Sequence, residues 1–207
     1  MRIFRLSRQP RNVILFAPTF RDNNIAKDDR PLLQRLFGYD EVLAPLSAIL
    51  KQHDAIIVVK LHKFFDEYID MEKDLCARSE YLDENNIVVF WDEVQVEERI
   101  TIYHLFSSST AMIADYSSIS FDYLLVDKPI IYNNYDQAEY EEYRGFSIEP
   151  ADAVMPGRIV RTKEDFLSAI ADVLAGEDSH SESRAFVSAL VNKYNDRMNR
   201  QRIAETF

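Results

Sequence analysis

Four short segments carry residues that could do chemistry on a phosphorylated ligand, and each follows an apolar run of strand length. They are Ala17-Pro18-Thr19-Phe20-Arg21-Asp22, Lys60-Leu61-His62, Asp115-Tyr116-Ser117-Ser118, and Tyr132 to Tyr135 leading into Tyr140, Arg144 and Gly145. In the third, Ser117 can cap the helix that follows, so that free backbone N–H groups and the helix dipole face an anion. The plainer alternative is an N-cap serine beside an exposed turn aspartate. Asp122 lies one turn along the same helix face as Ser118, where it either reaches a ligand hydroxyl or is a solvated carboxylate. His62 ends a fully apolar strand and so points toward the crevice beyond it. An imidazole there could act as general base on an incoming hydroxyl, with Lys60 as its companion. The alternatives are a capping histidine and a snorkelling lysine. Arg21 and Arg144 could make charge-assisted contacts to phosphate oxygens.

These segments need a scaffold that brings strand ends together. Short Val- and Ile-rich runs at Asn12–Ala17, Ala55–Lys60, Ile87–Phe90, Met112–Ala114, Ile130–Tyr132 and Arg158–Val160 alternate with stretches of three- and four-residue apolar spacing. The helical stretches are Asp40–Gln52, Phe64–Tyr81, Val96–Phe106, Ser118–Val126 and Lys163–Leu174. This alternation predicts an α/β fold, a Rossmann-like parallel sheet with helices on both faces. In such sheets ligands bind beyond the carboxyl ends of the strands, where all four segments fall. Gly176 reads as a helix stop, and Arg184–Glu205 as a last helix. The expected organisation is an N-terminal extension over residues 1–11, a Rossmann-like domain over 12–176, and a linker with a C-terminal helix over 177–207.

Composition narrows the classes further. A chain of 207 residues fits a single core. The net charge of −11 argues against nucleic acid as a partner, since that binding is driven by clustered cations releasing counterions. It does not argue against one small anion held where a few cations and a helix N-terminus converge. With only four glycines, neither a GxGxxG fingerprint nor a P-loop is present. Cys76 is the single cysteine, which suits a reducing cytoplasm. The longest apolar runs are strand-length, and no segment reads as membrane-spanning or exported. His53, His104 and His180 read as surface or packing residues, and no metal site is expected.

Taken in order, Ile14-Leu15-Phe16-Ala17-Pro18-Thr19-Phe20-Arg21, Lys60-Leu61-His62, Asp115-Tyr116-Ser117-Ser118 with Phe121-Asp122-Tyr123, and Arg144-Gly145-Phe146 with Pro156-Gly157 and Thr162 resemble the CDP-glycerol glycerophosphotransferases of teichoic acid and capsule synthesis. The resemblance implies the C-terminal half of a two-domain GT-B transferase. That half would bind CDP-glycerol as donor, pass glycerol phosphate to an acceptor hydroxyl and release CMP, with no further cofactor. It makes His62 similar to one of two catalytic histidines. Ser117, Ser118 and Asp122 would face the donor's pyrophosphate and glycerol end, with Arg21 nearby, and Thr19, Lys60, Asp115 and Arg144 would complete the donor site. The sequence departs from the pattern in lacking a Trp-His-Gly segment, its only tryptophan being Trp91 before Asp92. A polymer or lipid-linked acceptor would therefore come through a missing N-terminal domain or a second chain, which could also hold the protein at the inner face of the membrane. Two other readings compete: half of a sugar-nucleotide GT-B glycosyltransferase or epimerase, and a non-catalytic nucleotide-binding module that needs a partner. A flavodoxin-like regulatory domain fits the fold class but lacks a clustered acidic phosphorylation pocket.

Overall fold

The computed structural model describes residues 9–19, 32–61, 85–90 and 92–206. Six strands form one parallel sheet: β1 (Asn12–Phe16), β2 (Ala55–Val59), β3 (Ile87–Val89), β4 (Ala111–Ala114), β5 (Ile130–Asn133) and β6 (Arg158–Val160). Their order is β3-β2-β1-β4-β5-β6. Every pairing is parallel, with Phe16 opposite Val59 on one side and Ile113 on the other. The order reverses between β1 and β4, which makes the crevice above these two strands the topological switch point.

Alternation along each strand serves both faces. Ile14, Phe16, Ile57, Val59, Ile113 and Ile131 pack on one side against α1 (Leu32–Phe37), α2 (Leu43–Gln52) and α7 (Lys163–Leu174). Leu15, Val58, Met112, Ala114 and Tyr132 pack on the other against α4 (Tyr103–Phe106), α5 (Ile119–Tyr123, continued by a 3-10 turn over Leu124–Val126) and α8 (Ser181–Val191). Burial on both faces is why the strands read as continuous apolar runs and not as an alternating pattern. Gly157 lets β6 approach its neighbour, since a Cβ there would stand 2.2 Å from the Ile130 carbonyl oxygen.

Two expected helices are divided. The Val96–Phe106 stretch is α3 (Asp92–Glu98) and α4, separated at Arg99, whose φ of 53° lies in the left-handed region. Apolar spacing alone does not distinguish one helix from two joined by such a residue. The Arg184–Glu205 stretch likewise divides into α8 and α9 (Asn199–Thr206). At the end of α8 the Asn192 side chain donates to the Phe121 carbonyl (2.9 Å), which ties the chain to α5 where the helix stops. The remaining described α-helix is α6 (Gln137–Tyr143), and a 3-10 turn covers Ala151–Val154. The expected Phe64–Tyr81 helix lies outside the described residues. Among the described residues, no helix is long and apolar enough to cross a membrane.

α8 is locked down by Arg184, which is only 2% exposed. Its guanidinium donates twice to Asp178 (2.8 and 2.7 Å) and through Nε to Asp127 (3.1 Å). The hydrogen bonds from Arg184 hold the Asp178 carboxyl below its ordinary value. A carboxyl depressed in the folded state adds stability above its unfolded pKa of about 3.9, and that stability is lost as pH falls through the folded value. Asp178→Asn should therefore cost about 2 kcal/mol near neutrality, roughly 4–8 °C in Tm for a chain of this size. Thermal unfolding of the two proteins should converge below about pH 4; a gap that stays constant down to pH 2 would contradict this role for the ion pair.

Candidate donor site

Two strand-end segments meet at the switch point. Thr19, three residues beyond β1, donates its amide to Asp115 Oδ2 (2.7 Å) and its hydroxyl to Asp115 Oδ1 (2.6 Å). The amide of Ser117 donates to the same Oδ1 (3.0 Å). Asp115 is 3% exposed, so it is not the exposed turn aspartate that was one of the two alternatives. Ser117 is also not the helix cap. The N-cap position falls on Ser118, which has φ −62° and ψ −14° and no side-chain capping bond. The first turn is closed instead by the Ser120 amide (3.2 Å) and hydroxyl (3.0 Å) donating to the Ser117 carbonyl, and by the Phe121 amide donating to the Ser118 carbonyl (3.0 Å). The chain is already helical at Ser118, so Ser117 lies one residue before the cap position and no capping bond to its hydroxyl forms. The amides of Ser118 and Ile119 donate to nothing among the described residues.

Beside this turn opens a cavity of about 270 Å³ beyond the carboxyl ends of β4 and β5. Asp115, Ser117 and Ser118 line it from the turn after β4, and Gly145, Phe146 and Ser147 line it from the segment further along the chain. Tyr116 stacks on Tyr140 (ring centroids 4.2 Å apart) and meets Phe146 (5.3 Å), and its hydroxyl donates to Asp136 (3.1 Å). Ring pairs at such separations add to the area they bury and stiffen this wall. Tyr132 lines the interior, and burial pushes its hydroxyl up to about 12, so it is a neutral phenol at physiological pH. These aromatic residues were visible in the sequence only as rings following two strand ends.

The other expected site residues are placed differently. Lys60 follows β2 on the far side of β1, its amide donating to the Phe16 carbonyl (2.7 Å) and its ammonium to the Leu61 carbonyl. Asp122 accepts from the Tyr103 hydroxyl of α4 (3.1 Å) and does not line the cavity. Arg144 ends α6 with its side chain exposed, next to the cavity-lining Gly145. Arg21 and His62 lie outside the described residues.

The doubly wound parallel sheet, with a polar cluster at its switch point, has the Rossmann-like fold of one half of a GT-B architecture, as two larger solved structures show. The wall teichoic acid polymerase TagF, in a variant soaked with CDPG, superposes with a TM-score of 0.62 at 19% identity, over 96% of this chain and 42% of that one. The glycotransferase of kitacinnamycin superposes with a TM-score of 0.52 at 12% identity, over 95% of this chain and 43% of that one. The chain belongs to the CDP-Glycerol:Poly(glycerophosphate) glycerophosphotransferase family, whose model matches residues 5–207. Among its relatives is the teichoic acid ribitol-phosphate polymerase TarK of Staphylococcus aureus (strain NCTC 8325 / PS 47), 28% identical over 83% of this chain and 29% of that protein. Another is the teichoic acid glycerol-phosphate primase of Bacillus subtilis (strain 168), 27% identical over 92% of this chain and 42% of that protein. The chain spans less than half the length of these relatives.

Proposed function

We propose that the chain is the donor-binding half of a transferase that moves glycerol phosphate from CDP-glycerol, or the matching group of a similar CDP-alditol, to an acceptor hydroxyl in teichoic-acid-like or capsule polymer synthesis. The observation that supports this most is the meeting of Thr19 with Asp115 and Ser117 at the switch point, beside a cavity beyond β4 and β5 that Asp115–Ser118 help to line, in a chain that matches the family along nearly its whole length. In the reaction, the acceptor oxygen bonds to the glycerol-bearing phosphorus while that phosphorus's bond to the bridging oxygen breaks, and CMP leaves with the electron pair. His62 takes the acceptor's proton. The Ser118 and Ile119 amides face the charge that builds on the departing phosphate, where prepositioned donors are worth roughly 10²- to 10³-fold in rate. The acceptor, a polymer or a lipid-linked chain, is presented by a second half, which also holds the enzyme at the inner face of the membrane. Relatives more than twice as long as this chain support such a half.

Calorimetric titration of the 207-residue chain tests the donor assignment. CDP-glycerol should bind in preference to CMP, UDP and UDP-N-acetylglucosamine, and a Ser117→Ala/Ser118→Ala variant should bind it less tightly. Preference for the UDP-sugar would instead make this the half of a sugar-nucleotide glycosyltransferase or epimerase.

A further inference from the structure

From the geometry at the switch point we infer that Asp115 is a positioning residue that clamps the two walls of the crevice, and that it does not itself touch the donor. The inference rests on the donor-binding reading above. β1 and β4 are neighbours, with the Ala17 amide donating to the Ile113 carbonyl (3.2 Å), but the next described helices after them pack on opposite faces of the sheet. The next described helix after β1, α1, buries Leu33 and Phe37 in one core, whereas α5 after β4 buries Tyr123 in the other. Strand pairing ends at this point, so something beyond the strands must hold the two exits together.

Among the described residues, the Asp115 carboxylate accepts both donors of Thr19 from the β1 exit and the Ser117 amide from its own turn. Bonds to a carboxylate are charge-assisted, and at 3% exposure they are shielded from water. Both oxygens already accept from the protein, and a carboxylate repels phosphate, so Asp115 is poorly suited to bind the donor directly. What the clamp controls is where the Ser118 and Ile119 amides sit and where the segment after Thr19, which carries Arg21 in the sequence, begins.

Asp115→Asn keeps the shape but turns one acceptor into an NH2 group facing a protein N–H or O–H donor. Titrating the 207-residue chain with CDP-glycerol and with CDP, alongside thermal unfolding, tests the clamp. Asp115→Asn should weaken both ligands by the same factor, about tenfold or more, because displacing binding groups by around an ångström is costly whichever pyrophosphate occupies the site. Thr19→Val, which removes one charge-assisted bond, should weaken both by about fivefold and lower Tm by a few degrees, and Thr19→Ser, which keeps the hydroxyl, should recover most of both losses. If Asp115→Asn does not fold, the Thr19 pair decides alone. Binding within about twofold of the parent in Thr19→Val, or equal weakening in Thr19→Ser, would overturn the clamp while leaving the donor site standing. A parent chain that binds neither ligand overturns the donor reading, and the clamp with it.

Discussion

Replacing Ser118 with proline should weaken CDP-glycerol binding by about ten- to hundredfold while leaving the chain folded. Proline fixes φ near −65° and has no N–H, and Ser118 already stands at φ −62° at the start of α5. No hydrogen bond within the described structure is lost, because the Ser118 amide donates to nothing there. What disappears is one donor to an anion, and hydrogen bonds to charged groups are worth about 1.5–3 kcal/mol. The Ser118 carbonyl, which receives the Phe121 amide at 3.0 Å, is kept. Calorimetry on the proline and alanine variants separates the two groups of this residue. A large effect in both assigns the contact to the hydroxyl; a large effect in proline alone assigns it to the amide. Unchanged affinity in Ser118→Pro would move the pyrophosphate away from this turn.

The second large effect concerns chemistry. In an enzyme assembled from this chain and an acceptor half, His62→Ala should slow transfer by about 10²- to 10⁴-fold, the usual worth of a positioned general base. Donor affinity should change little, because the proposed role of His62 is toward the acceptor hydroxyl. Imidazole is the side chain whose charge changes near neutrality, so the parent's rate should fall on the acid side as the base is protonated. That acid limb should be absent from the residual rate of His62→Ala. Single-turnover CMP release across pH 5 to 8 measures both quantities. A variant that turns over as fast as the parent would remove His62 from the reaction.

Much of this architecture was legible in the chain because it rests on local pattern. A strand buried on both faces is apolar along most of its length, so the Val13–Phe16, Ala55–Val59 and Ile130–Tyr132 runs stand out against the polar helix surfaces between them. Lys163–Leu174 coincides with its expected span because its signals are local: the Thr162 hydroxyl accepts from the Asp165 amide (3.2 Å) at the start, and Gly176 lies in the left-handed region just beyond the end. The divided helices were less legible. Arg99 in a left-handed turn and Asn192 bonded to Phe121, 71 positions away, leave the apolar spacing on either side unchanged.

The sequence by itself determined the layered α/β class, the places where strands end, and so the short segments in which any ligand chemistry must lie. Only the tertiary structure decided how those segments are shared out. It joined Thr19 to Asp115 across 96 residues, gave the amides of Ser118 and Ile119 no partner within the described protein, turned Asp122 toward Tyr103, and built a cavity wall from Tyr116, Tyr140 and Phe146. The physical reason is the difference between a periodic requirement and a pairwise one. Burial of a strand or a helix face acts on residues two to four positions apart and is written into the order of the chain. The partner of a polar side chain is set by which strand lies beside which, and here the reversal of strand order at β1 and β4 brings the exits of two distant strands within hydrogen-bonding distance.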